Sequence, residues 1–71
     1  MDLCSRVRDA RLRRGLTQVQ LADRAGVSRR VVIYLEREPT WNPTADTLTR
    51  IATALGLDLA DLLNETAAAA S

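Results

Sequence analysis

Arginine supplies most of the side chains in this 71-residue sequence that could do chemistry. All ten cationic residues are arginines, whereas histidine is absent and cysteine occurs once, as Cys4. A planar guanidinium donates paired hydrogen bonds to phosphates, to carboxylates and to the O6 and N7 acceptors of guanine. The sequence has no histidine, no phosphate-cradling glycine loop and no paired carboxylates of a catalytic cleft. It therefore favours binding over catalysis, and we expect no enzyme activity, no metal site and no cofactor.

Charge is segregated along the chain, although the formal net charge is only +1. Residues 1–37 contain nine arginines and four carboxylates, a net charge of +5. Residues 38–71 contain one arginine and five carboxylates, a net charge of −4. The molecule should thus have a positive end that can face phosphates and a negative end that does not.

Length and composition favour one small all-α domain. Aromatic residues make up 3% of the chain and phenylalanine is absent, so leucine, valine, isoleucine and alanine must build the core. No apolar run reaches the length of about 18 residues that a membrane span needs, and Arg6 and Arg8 interrupt the first apolar stretch. We therefore expect neither a membrane span nor a signal peptide, and a cytoplasmic protein.

The first two helices are predicted from their apolar faces and their stop signals. Residues 2–14 form the first helix, which Gly15 ends. One face of it carries Leu3, Val7, Ala10 and Arg14. Thr17 and Gln20 have the spacing of a capping box that opens a second helix of about nine residues. Its apolar stripe consists of Leu21, Ala22 and Ala25.

The third helix is predicted from Arg29 to about Arg37, with Ser28 as its N-cap and with Val32 and Leu35 directed inward. Residues 38–43 contain two prolines and are predicted to form a loop.

Thr44 is the predicted N-cap of a fourth helix, which Gly56 closes. Its apolar stripe consists of Leu48, Ile51, Ala52 and Leu55. Asp58 opens a short fifth helix through residues 62 and 63. The folded domain is predicted to span residues 1–64, and the alanine-rich residues 65–71 are predicted to be a flexible tail.

The second helix, the turn after it and the third helix form a unit of about 20 residues. The small side chains of Ala22 and Ala25 let two helices approach closely, and Gly26 allows the sharp bend between them. Val27 and Val32 would then fix the angle at which the helices cross. This is the packing of a helix-turn-helix, which holds its second helix outward so that side chains enter the DNA major groove.

The sequence resembles the Cro/C1-type (XRE-like) repressor family over nearly its whole length except the tail. The matching segments are Gly15-Leu16-Thr17-Gln18, Leu21-Ala22, Ala25-Gly26-Val27-Ser28, Leu35-Glu36, Leu48, Ile51-Ala52 and Leu55-Gly56. The resemblance implies a compact five-helix, lambda-repressor-like domain of the kind found in phage repressors and restriction-modification controllers. It also implies a sequence-specific regulator that binds double-stranded DNA as a homodimer on a palindromic operator, encoded by a bacterium or a phage.

The same resemblance implies roles for individual residues. The expected DNA-binding residues are Thr17, Gln18, Ser28, Arg29, Arg30, Val31 and Tyr34. Among them, Thr17 and Gln18 would hold a phosphate, and Arg29 and Arg30 would read bases. Val31 would lie near the groove floor against a thymine methyl, and Tyr34 would touch either a base edge or a phosphate. Arg11 and Glu36 match a largely buried salt bridge between the first and third helices.

Several features leave alternatives open. Glu38 stands where the family commonly has glycine, and the loop after it contains no basic residue. Ile33 either packs on Trp41, touches DNA or joins a subunit contact, and Trp41 either anchors the loop or lies in an interface. The dimer surface is expected around Leu57–Leu59, and no small-molecule effector is evident. The alternative function is a protein-interaction module or an antitoxin-like partner protein.

Overall fold

The computed structural model of the chain describes residues 3–41 and 43–62. Its helices are α1 (Leu3–Arg13), α2 (Gln18–Ala25), α3 (Arg29–Arg37) and α4 (Ala45–Ala54), and the first turn of a fifth helix lies at residues 59–62. The predicted all-α class and the order of the helices are confirmed. No helix in the described part is long and apolar enough to cross a membrane. The predicted end of the fifth helix at residue 63 and the predicted tail at residues 65–71 lie outside the described residues.

The turn between α2 and α3 depends on Gly26, whose φ of +69° lies in the left-handed region. The N–H of Gly26 donates to the carbonyl of Asp23 (3.3 Å), and the N–H of Val27 donates to the carbonyl of Ala22 (3.1 Å). These two bonds satisfy carbonyls at the end of α2 that have no partner within the helix. Val27 is half-buried and packs against the core, as predicted. The chain therefore leaves α2 in one defined direction.

The starts of the helices confirm the three predicted N-caps, two of which form side-chain capping bonds. Thr17 and Gln20 form both bonds of the capping box, and the Thr44 hydroxyl accepts the N–H of Thr47. Ser28 has the extended backbone of an N-cap, but its side chain makes no capping hydrogen bond. Ser28 is exposed, and solvent can satisfy N–H groups at an exposed helix start.

The core is built from side chains of all the helices. Its largest fully buried members are Leu21, Ile51, Leu55, Leu62, Val7 and Val32. Helix α2 packs against both α3 and α4, and α1 packs against α3. Arg14, predicted as the last residue of the first helix on the face of Leu3, Val7 and Ala10, instead follows the last turn of α1 and is exposed. Its guanidinium donates to the carbonyl of Ala10 instead (3.1 Å).

A buried ion pair joins α1 to α3. The Arg11 guanidinium donates through Nε to Glu36 Oε2 (2.7 Å) and through Nη2 to Glu36 Oε1 (3.0 Å). The two side chains are only 11% and 2% exposed, respectively. The third nitrogen, Arg11 Nη1, donates to the carbonyl of Leu16 (2.8 Å). One guanidinium thus ties together α1, the turn before α2 and the inner face of α3.

We expect that Gly26→Ala destabilises the fold by about 1–2 kcal/mol, because an L side chain disfavours the left-handed conformation. Steric clash would contribute little, since an added Cβ would lie 3.5 Å from Arg50 Nη1, an ordinary contact distance. Urea unfolding measures the loss. Gly26→Asn serves as the control, because asparagine tolerates this conformation better and should lose less. Equal stability of the alanine variant and the parent chain would contradict this account.

The buried pair predicts a large difference between two arginines of the same helix. Arg11→Met leaves the Glu36 carboxylate buried without its partner and should cost about 3–5 kcal/mol of unfolding free energy. Arg13→Met removes an exposed ion pair with Asp9, in which the Arg13 side chain is 75% exposed. This change should cost at most about 1 kcal/mol. Thermal unfolding of both variants tests the contrast, and similar losses for the two would refute it.

Candidate nucleic-acid interface

The outward face of α3 carries a concentration of positive charge. Arg29, Arg30, Tyr34 and Arg37 are exposed, whereas Val32, Leu35 and Glu36 are buried. Glu36 is the only carboxylate within the helix, and it is neutralised by Arg11. None of the three exposed arginines forms a salt bridge with any residue that the structure describes. Their guanidiniums are therefore available to an external acceptor.

Helical geometry gives the order of side chains around this face. Each residue advances by about 100° around the axis, so the sequence of positions from one edge to the other is Arg29, Ile33, Arg37, Arg30 and Tyr34. Ile33 is half-buried among these exposed neighbours. Arg37 shares the face with the two predicted base readers, although no role was assigned to it from the sequence. The same helical spacing would have identified it.

The start of α2 borders the Arg29 edge of this face. Gln18, the first residue of α2, is half-buried, and its Nε2 lies 3.5 Å from Glu36 Oε1, a long hydrogen bond. Thr17 precedes it and is exposed. The Thr17 hydroxyl oxygen accepts the N–H of Gln20 (3.0 Å), which leaves its O–H as a donor. Polar donors of α2 therefore lie beside the arginines of α3.

Aromatic side chains border the opposite edge. The rings of Tyr34 and Trp41 meet edge to face, with centroids 5.9 Å apart and planes inclined by 68°. Tyr34 is 44% exposed and Trp41 is 37% exposed. The backbone N–H of Trp41 donates to the carbonyl of Glu38 (3.1 Å) and closes a turn. Trp41 thus packs its ring on Tyr34, a partner that the sequence analysis did not identify.

Val31 lies next to Tyr34 on the inward side of the helix. It is half-buried and packs against the core, so only part of the side chain is available for the expected contact with a thymine methyl. The predicted DNA-binding residues therefore share one surface, with Val31 at its inner margin.

Within residues 3–41 and 43–62, no group of His, Cys, Asp or Glu side chains is arranged to hold a metal ion.

The chain matches a known sequence family over most of its length. The family described as helix-turn-helix matches residues 7–62. The immunity repressor protein of Bacillus phage phi105 is 38% identical over 65 residues, a match that covers 92% of this chain and 44% of that protein. The chain thus spans less than half the length of this relative.

Solved structures share the fold as well as part of the sequence. The clp gene regulator ClgR from Corynebacterium glutamicum is 31% identical, with a TM-score of 0.81 over 94% of this chain and 70% of that chain. A structure of the SinR protein/SinI protein complex matches with 25% identity and a TM-score of 0.82, over 94% of this chain and 65% of that chain. The turn at Gly26 and the packing of the helices are consistent with these matches. The chain belongs to the Cro/C1-type helix-turn-helix family of DNA-binding transcriptional regulators.

Proposed function

We propose that this chain is a sequence-specific transcriptional regulator whose helix α3 enters the major groove of double-stranded DNA. The observation that carries the proposal is the outward face of α3, where Arg29, Arg30 and Arg37 have no carboxylate partner within the described residues. Duplex DNA presents a dense row of phosphates beside guanine acceptors in the major groove. The exposed guanidiniums of α3 can donate hydrogen bonds to the phosphates and to the guanine acceptors.

In this proposal, some polar side chains read bases and others bind phosphate. Arg29 and Arg30, in the first turn of α3, read guanine through paired hydrogen bonds to O6 and N7. Gln18 and Thr17 donate to a phosphate at the start of α2, where backbone N–H groups also favour an anion. Because Gln18 also contacts Glu36 of α3, the phosphate contact and the reading helix move as one unit. The exposed Ser28 precedes α3 and contributes a further donor.

The proposed active form is a homodimer on a palindromic operator. Leu57 and Leu59 are half-buried, so both retain apolar surface for a second subunit. A two-fold dimer would place its two α3 helices about 34 Å apart, one turn of the duplex. The phage immunity repressor among the relatives favours repression as the sign of regulation. Such a regulator acts on bacterial or phage DNA in the cytoplasm.

Binding to another protein is the second candidate function. It is supported by the SinR/SinI structure, in which a chain of this fold belongs to a protein complex, and by the exposed ring of Trp41. A protein that co-purifies with the chain and still binds after Arg29→Ala and Arg30→Ala substitution would identify this function. The two functions predict opposite responses to the same substitutions.

The main test begins by selecting bound sequences from a randomised duplex pool. Arg29→Ala and Arg30→Ala should each weaken binding to the selected operator by about 1–3 kcal/mol, roughly 5- to 150-fold in Kd. Each should also relax the preference for guanine at one position of the half-site. Fluorescence anisotropy at fixed salt measures the affinities.

The matched control is Arg50→Ala, which removes the same charge from α4, where Arg50 pairs with Asp46 (2.9 Å). This variant should keep its base preferences and nearly all of its affinity. If Arg29→Ala and Arg30→Ala remain folded and bind like the parent chain, the assignment of α3 to the groove is wrong. A selected sequence without two-fold symmetry would rule out the palindromic dimer.

The proposed phosphate contact of Gln18 predicts a different pattern. Gln18→Ala should weaken binding about tenfold, and equally for the operator and its base-substituted forms, because a phosphate carries no sequence information. The salt dependence should stay unchanged, since a neutral amide displaces no counterion. Val19→Ala, at the exposed neighbouring position, is the control and should bind normally. A base-specific loss on Gln18→Ala would contradict the assignment.

A further inference from the structure

We propose that Tyr34 and Trp41 together form an apolar contact that takes the C5-methyl group of a thymine in the major groove. The inference rests on the proposed function and adds to it a specificity element at the edge of α3 opposite Gln18. It assigns a shared role to two aromatic rings that the sequence analysis considered separately.

Tyr34 and Trp41 hold each other in one arrangement. An exposed tyrosine alone can change its rotamer freely, whereas the edge-to-face contact with Trp41, at 5.9 Å between centroids, favours one arrangement. The backbone of Trp41 is itself held by the hydrogen bond from its backbone N–H to the Glu38 carbonyl. Both residues nevertheless remain more than one-third exposed, at 44% for Tyr34 and 37% for Trp41. The pair therefore presents an ordered apolar surface to the exterior.

The loop that carries Trp41 has no positive charge. Residues 38–43 contain no arginine or lysine, and Glu38 is exposed here, so this loop lacks the cation that would attract a phosphate. The major groove offers one apolar group, the C5-methyl of thymine, among its donors and acceptors. Two exposed aromatic residues, one on α3 and one in the loop after it, fit that group better than they fit an anion.

The position of Tyr34 on α3 indicates where the methyl group should lie. Tyr34 follows Arg30 by four residues, which is about 6 Å along the helix axis. Base pairs are spaced by about 3.4 Å along the duplex. The thymine should therefore occur within about two base pairs of the guanine that Arg30 reads.

The test removes one methyl group from the DNA and compares the effect in the parent chain and in variants of the two aromatic residues. Each thymine within two base pairs of the guanine assigned by Arg30→Ala is replaced by deoxyuridine, which lacks only the methyl group. For the parent chain, one such replacement should weaken binding about fourfold, the effect expected for one buried methyl. For Tyr34→Ala the same replacement should have no effect. Trp41→Ala should reduce the penalty, and Trp41→Phe, which keeps an aromatic ring, should restore part of it.

Two controls isolate the effect. Deoxyuridine outside the half-site should leave affinity unchanged, and Thr40→Ala, at the exposed position before Trp41, should keep the full methyl dependence. Because Trp41 is the single tryptophan, its emission also reports this site. The emission should change when the thymine duplex binds and should change less with deoxyuridine.

The outcomes separate this inference from the proposed function. A parent chain that binds its selected duplex but tolerates every deoxyuridine replacement overturns the methyl contact alone. An equal deoxyuridine penalty in the parent chain and in Tyr34→Ala also overturns it. If no duplex is selected, the proposed function fails and this inference fails with it.

Discussion

The orientation of α3 depends on the ion pair between Arg11 and Glu36. A carboxylate that is 2% exposed is costly unless a charge-assisted partner compensates for its lost hydration. Arg11 provides two hydrogen bonds to it from another helix. With Glu36 directed inward beside Val32 and Leu35, the opposite face of the helix is exposed and carries Arg29, Arg30, Tyr34 and Arg37. The candidate DNA-binding surface is thus opposite a face of α3 that the core and one guanidinium hold in place.

The same pair connects α3 to the start of α2. Arg11 Nη1 binds the Leu16 carbonyl, and Gln18 reaches the Glu36 carboxylate. The start of α2 is therefore braced against α3 by hydrogen bonds as well as by apolar packing. In the proposed complex this rigidity keeps the phosphate contact and the base contacts in register, which is how backbone contacts position a reading element. Because the net charge is only +1, the proposed specificity would rest mainly on a few side chains.

The two edges of the outward face differ in chemistry. The edge next to α2 offers amide and hydroxyl donors, whereas the edge next to the loop offers the rings of Tyr34 and Trp41. Between them lie Arg29, Arg37 and Arg30. A duplex also presents different groups across its groove, with phosphates at the margins and base edges on the floor. In the proposed complex, this difference between the two edges would set the orientation of the chain on a half-site.

The amino-acid sequence by itself determined the local features of this protein. Glycine at position 26, the capping box at Thr17 and apolar spacing act within a few residues, so the helices and their boundaries followed from them. An exception is Arg14, which was predicted within the first helix but lies just beyond the end of α1, where it is exposed. The resemblance also indicated the pairing of Arg11 with Glu36, whose contact spans 25 positions of sequence.

Only the tertiary structure decided that Val31 turns toward the core and that Trp41 packs on Tyr34. Those contacts depend on how α3 rotates against α1 and α2 and on where the loop returns, which no local pattern of residues encodes.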